Sequence, residues 1–149
     1  MLEQIKLFFE QHLALSSPEG NLEDKLKIAT AVLFLEMMHI DDKVELKEQH
    51  LISDLMKQKF AMTDDEIKLL IELAEQQRHD ATDYFQFTSL INKEYSAEQK
   101  NQLIESLWQI AFIDGVIDMH EEYLVRKIAE LLYVPHADFI KAKNRVIPD

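Results

Sequence analysis

Acidic side chains recur at the same spacing in two stretches of the sequence, residues 41–48 (the first acidic turn) and 114–121 (the second acidic turn). Each has an acid, another acid four residues later and a glutamate three residues after that. The positions are Asp41, Glu45, Glu48, Asp114, Asp118 and Glu121. Carboxylate oxygens are the ligands that hard divalent cations such as Ca²⁺, Mg²⁺ and Mn²⁺ prefer. If the chain folds back after the first acid, these oxygens converge, so the spacing predicts a divalent-cation site at each turn.

Helix capping explains part of the same pattern. Asp118 followed by Glu121 has the form in which two side chains satisfy the free amides at a helix start. Capping does not explain Asp41 or Asp114, which the periodicity places at helix ends, where the helix dipole disfavours a negative charge by about 0.3–1 kcal/mol. A bound cation, a basic side chain or hydration of an exposed turn would compensate. The candidate basic side chains are Lys43, Arg126 and Lys127.

The second acidic turn resembles the end of an EF-hand calcium loop but lacks its beginning. Placing Gly115 on the obligatory glycine of that loop puts Ile110 and Phe112 on the first two ligand positions. An ion at this turn is therefore expected to bind more weakly, or to take ligands from the other turn.

Helical periodicity of apolar residues runs through almost the whole chain. With only 2 Gly and 3 Pro in 149 residues, the sequence has too few turn residues for a sheet protein, and 47% of it is apolar. The predicted helices cover residues 1–16, 21–40, 45–59, 63–79, 83–93, 96–114, 118–132 and 135–146. The predicted buried face of the second helix comprises Leu22, Leu26, Ala29, Leu33 and Met37. We predict an all-α domain of about seven or eight helices spanning residues 1–149.

The sequence also indicates an internal duplication. Moving it by 73 residues superposes Lys27 on Lys100, Asp41 on Asp114 and Glu48 on Glu121. Shared amphipathicity would match apolar residues but not acids inside a helix connection. We predict two copies of a three-helix unit, residues 22–80 and 95–146, related by a pseudo-two-fold axis, with residues 1–16 as an extra helix. The predicted core between the copies includes Trp108, Phe112 and Tyr123.

Charge and composition exclude several classes of function. The 28 acidic and 16 basic residues give a net charge of −12, which repels nucleic acid and anionic lipid. The chain has no cysteine, its acidic N-terminus does not resemble a secretory signal, and it has no apolar run of ~20 residues. No phosphate-binding loop or catalytic constellation is present. We expect a cytoplasmic protein that is not an enzyme and does not insert into membranes.

The segment Ala111-Phe112-Ile113-Asp114-Gly115-Val116-Ile117-Asp118-Met119-His120-Glu121, together with the duplication and the helix count, resembles the TerB-like family of tellurite-resistance protein B. The resemblance implies a stand-alone α-helical domain linked to bacterial stress and tellurite resistance, with divalent-metal binding at the acidic positions and no established enzymatic activity. The second acidic turn follows the family pattern. The first departs from it, with Asp42 in place of the glycine and Glu45 in place of the second aspartate.

Two functions from different classes follow from these observations. The first is a non-enzymatic stress or tellurite-resistance domain that binds a divalent cation at the acidic turns. The alternative is a protein-interaction module whose acidic face binds a basic protein partner without a metal. Loss of binding at high salt, with no effect of a chelator, would favour the alternative.

Overall fold

The computed structural model describes residues 22–40, 45–80 and 83–148. Within these ranges the chain forms seven α-helices and no strand, so the predicted all-α class is confirmed. The helices are α1 (Leu22–His39), α2 (Leu46–Phe60), α3 (Asp64–Asp80), α4 (Phe85–Glu94), α5 (Ala97–Ala111), α6 (Met119–Leu131) and α7 (His136–Val146). The predicted helix over residues 1–16 lies outside the described residues.

Reciprocal capping boxes begin several of these helices. Before α3, the Thr63 amide donates to Glu66 Oε1 at 2.9 Å and the Glu66 amide donates to Thr63 Oγ1 at 3.3 Å. Before α5, Ser96 and Gln99 make the equivalent pair at 2.8 and 3.2 Å. Each box satisfies amides that the helix itself leaves without acceptors, which explains why the sequence located these two starts correctly.

Helix α1 forms the centre of the fold and packs against α2, α3, α4, α5 and α6. The consecutive residues Leu33, Phe34 and Leu35 are at most 1% exposed. Because successive residues point about 100° apart, this helix is buried on all sides along its middle. Ala29, Leu33 and Met37 of the predicted buried face are at most 1% exposed, and burial extends beyond that face. The prediction was wrong for Leu22, which is 44% exposed.

A second part of the core lies between α5 and α7. Trp108 is fully buried, with its ring centroid 5.2 Å from that of Phe139. The prediction that Tyr123 is also core was wrong, because its side chain is 64% exposed. Helix α6 buries Val125, two residues and about 200° away, so Tyr123 faces outward.

Corresponding helices of the two predicted copies have similar neighbours. Helix α1 packs against α2 and α3, as α5 packs against α6 and α7, and α1 also packs against α5. Helix α2 begins at Leu46 and α6 at Met119, the two residues that the 73-residue shift superposes. This arrangement is the one expected of a duplicated unit, and the pseudo-two-fold relation itself stays a prediction.

Candidate functional site

The helix before the second acidic turn ends earlier than the sequence predicted. Helix α5 ends at Ala111, so Asp114 lies beyond the helix and not in its last turn. The Gly115 amide donates to the Phe112 carbonyl at 2.8 Å, and Gly115 has a φ of +82°, a conformation that favours glycine. The dipole of α5 therefore disfavours Asp114 less than the sequence suggested, because this effect falls off beyond the last turn.

The positive group beside Asp114 is the side chain of Lys47. Its Nζ lies 2.5 Å from Asp114 Oδ1 and 3.5 Å from Glu45 Oε2. The hydrogen bond with Asp114 is the main cause that raises the pKa of Lys47. Of the predicted basic partners, Arg126 pairs instead with Glu122, and Lys43 lies outside the described residues. The Lys47–Asp114 pair joins the start of α2 to the α5–α6 turn and so brings parts of both acidic turns together.

The remaining acids of the turns act at helix starts. Asp118 Oδ1 accepts the His120 amide at 2.6 Å, and Glu121 Oε1 accepts the Asp118 amide at 3.2 Å. In the first acidic turn, Glu48 Oε1 accepts the Glu45 amide at 3.4 Å. Glu48 and Glu121 are only 4% and 9% exposed. Helix amides thus stabilise two buried carboxylates that the sequence had placed at matching positions.

The predicted metal sites at the two acidic turns stay predictions. Asp41 lies outside the described residues, and so do Asp42 and Lys43. Over the ranges that the structure describes, no three His, Asp or Glu side chains gather in a way that could hold a metal ion. The acids that can be placed, Glu45, Glu48, Asp114, Asp118 and Glu121, have capping or ion-pair roles there.

Large apolar side chains are exposed beside these acids. Leu46 is 66% exposed at the start of α2, and Val116, Met119 and Tyr123 are 72%, 76% and 64% exposed at or after the second acidic turn. We call these four residues, together with the exposed acids Asp114 and Asp118, the turn surface. Sequence analysis missed its apolar part. The available signal was that Met119 and Tyr123 lie four residues apart, out of phase with the buried residues of α6.

Comparison with known families matches residues 27–144 to the family described as Tellurite resistance protein TerB. The matched range begins within α1, ends within α7 and includes both acidic turns. No curated protein and no solved structure matches the chain. Of the helices described above, none combines the length and the apolar character needed to cross a bilayer.

Proposed function

Because the chain belongs to the TerB family, and is therefore a tellurite-resistance-associated domain, we propose that it works without catalysis by binding a basic protein partner through the turn surface. TerB domains are generally not catalytic, and their fold is all-α. The alternative function considered in the sequence analysis is thus the one that the geometry supports best.

The exposed apolar part of the turn surface is the observation that carries this proposal. Met119 and Tyr123 are neighbours on one face of α6, and Val116 precedes them in the turn. Single exposed apolar residues are common, but several large ones close together indicate an interaction site. A partner that covers them gains roughly 25 cal/mol for each Å² of apolar surface removed from water.

Charge determines the chemistry of the partner. Asp114 and Asp118 lie next to the apolar residues, and the chain carries a net charge of −12. A second copy of the chain would be repelled, whereas a segment with lysine or arginine beside apolar residues would be attracted and oriented. We therefore propose a basic, amphipathic segment of another protein as the partner.

The turn surface is also held in shape before a partner arrives. Lys47 bridges the start of α2 and the α5–α6 turn, and capping bonds hold the start of α6. Binding then costs little conformational entropy at the turn itself, which favours affinity.

The test uses a fluorescein-labelled helical peptide with lysine on one face and leucine on the other, followed by anisotropy. The double variant Met119→Ser, Tyr123→Ser should bind it about tenfold more weakly. Tyr133→Ser is the matched control, because Tyr133 is 79% exposed two residues beyond the opposite end of α6. Binding should also weaken as salt is added. Equal affinity for the double variant and the control would contradict the proposal.

A divalent cation at the acidic turns is the second candidate function. It is favoured by the position of Lys47, whose ammonium lies near carboxylates of both turns, Glu45 and Asp114. Carboxylates that stabilise an ammonium there would also attract Ca²⁺, Mg²⁺ or Mn²⁺.

Titration calorimetry with each of the three ions distinguishes the two candidates. A cation site predicts heat with the wild type, little heat with Asp114→Ala, and tighter binding with Lys47→Met, in which no ammonium competes. No heat with any ion, in either the wild type or Lys47→Met, would exclude the cation site. The proposal of peptide binding at the turn surface would not be affected by that result.

A further inference from the structure

A cavity of about 460 Å³ lies away from the acidic turns, among α1, α3, α4 and α6. Its apolar lining includes Val32, Phe87 and Leu131, of which the first two are at most 6% exposed. Its volume falls within the usual range for small-molecule sites, which combine an apolar lining with a few fixed polar groups.

A chain of hydrogen bonds fixes Arg78, Tyr84 and Glu36 on one wall of this cavity and extends behind that wall to Glu75 and His39, which do not line it. Arg78 donates from Nε to Glu75 Oε1 at 2.9 Å and from Nη1 to Glu36 Oε1 at 3.3 Å. The Tyr84 hydroxyl donates to Glu36 Oε2 at 3.1 Å, and His39 Nε2 lies 2.9 Å from Glu75 Oε2. These bonds connect α1, α3 and the residue before α4, so the wall is formed without a ligand.

The protonation states of the wall support this arrangement. Burial, together with the charge of Glu36, raises the pKa of Tyr84 to about 12, so its hydroxyl keeps its proton and remains a donor. Burial alone would raise the pKa of Glu75, but hydrogen bonds from Arg78 and His39 hold that pKa below its ordinary value. The carboxylate that positions Arg78 is therefore charged at neutral pH.

The cavity carries balanced charges, although the chain as a whole is strongly acidic. Glu36 and Asp83 contribute negative charges and Arg78 and Lys127 positive ones. Arg78 is already paired with glutamates of α1 and α3. Lys127 is exposed, and no salt bridge joins it to any carboxylate in the part of the chain that the structure describes. A free anion would be repelled by the two acids, and a free cation by Lys127.

We infer that this cavity binds a small zwitterion with an apolar side chain, of the class of the apolar α-amino acids. The ammonium of the ligand pairs with Glu36 and Asp83, and its carboxylate pairs with Lys127. Its side chain packs against Val32 and Leu131. This site is separate from the turn surface and does not depend on the proposed partner.

The experiment is an NMR titration of the isotope-labelled full chain with L-leucine, followed at the methyl groups of Val32 and Leu131. N-acetyl-L-leucine, which lacks the ammonium, and L-leucinamide, which lacks the carboxylate, are the comparison probes. The wild type should bind leucine more tightly than either. Lys127→Gln should weaken the binding of leucine about fivefold, which is the effect of losing one partly exposed ionic contact. It should leave the affinity for leucinamide unchanged.

Lys141→Gln serves as the matched control, because Lys141 is an exposed lysine on α7, which does not line the cavity. It should bind leucine as the wild type does. The inference is overturned if leucine shifts no cavity methyl at about 10 mM, where even a millimolar site is mostly occupied. It is also overturned if the three probes bind equally, or if the two lysine variants behave alike.

Discussion

Glu121 and Glu48 are carboxylates withdrawn from water at helix starts, where backbone amides stabilise them. Burial of a charged group is costly unless it is hydrogen-bonded, and each of these residues accepts an amide at the beginning of its helix. We therefore expect their contribution to the free energy of unfolding to come mainly from the oxygen that accepts the amide, and less from the negative charge.

Replacement of Glu121 should separate these two contributions. Glu121→Ala should lower the free energy of unfolding by about 0.5–2 kcal/mol, because the Asp118 amide loses its acceptor. Glu121→Gln should cost less, since its amide oxygen can still accept. Urea unfolding measures both. A glutamine variant as unstable as the alanine variant would show that the charge itself is needed, and a cost that appears only with a divalent ion present would indicate metal ligation.

The pKa of Glu75 gives a prediction with a defined sign. Because hydrogen bonds from Arg78 and His39 outweigh burial and hold this pKa below its ordinary value of 4.5, the folded state binds fewer protons than the unfolded state. The stabilisation is complete above the ordinary value and is lost as the pH falls through the folded-state pKa. Glu75→Gln should therefore flatten the fall in stability in acid.

Urea unfolding at several acidic pH values measures this dependence. Glu72→Gln is the control, an exposed glutamate on the same helix, and should keep the wild-type profile. A Glu75→Gln variant with the wild-type slope would contradict the assignment.

For single residues, the sequence predicted side-chain contacts between near neighbours but not the ion pair between residues far apart. Asp118 and Glu121 are three residues apart, and their capping bonds follow from that spacing. The contact of Lys47 with Asp114 joins residues far apart in the sequence and depends on how α2 packs beside α5. No local pattern distinguishes Lys47 from the other lysines, so this pair could not be predicted.

At the scale of elements, α1 organises the packing of the other helices. Leu33 is fully buried at its middle, whereas Leu22 at its start is 44% exposed. Leu33→Ala should therefore lower the free energy of unfolding by about 2–5 kcal/mol, because a core cavity remains. Leu22→Ala is the matched control and should cost much less. Similar losses for the two variants, measured by urea unfolding, would contradict the central position of α1.

Helix positions could be predicted because periodicity and capping are local properties. The end of α5 could not, because apolar residues continue through Phe112 and Ile113 after the helix has ended. The complete burial of α1 was indicated by the apolar run Ala31–Leu35, but a search for one amphipathic face does not detect it. The packing of five helices around α1 decided its burial.

At the scale of the whole molecule, the excess of negative charge should determine how salt changes the thermal stability. With 28 acids against 16 bases, repulsion among the acids opposes the compact state, and salt screens it. Exposed pairs such as Lys57–Asp64 weaken as well but contribute little. We expect sodium chloride to raise Tm, by about 2–4 °C for each 1 kcal/mol gained.

Calorimetric scans at increasing salt test this expectation, and a Tm that falls would contradict it. Calcium or manganese chloride at equal ionic strength provides the comparison. A further rise with the divalent salt would support the second candidate function, and an equal rise would indicate screening alone.

Helix α1 has neighbours on every side, so it cannot slide along its axis without disturbing five other helices. A ligand therefore meets a scaffold already close to its final shape. Encounter rates should then vary little among variants that keep the charges of either proposed site, and differences in affinity among them should come mainly from the lifetime of the complex. Kinetic measurements of dissociation would detect such differences more sensitively than measurements of association.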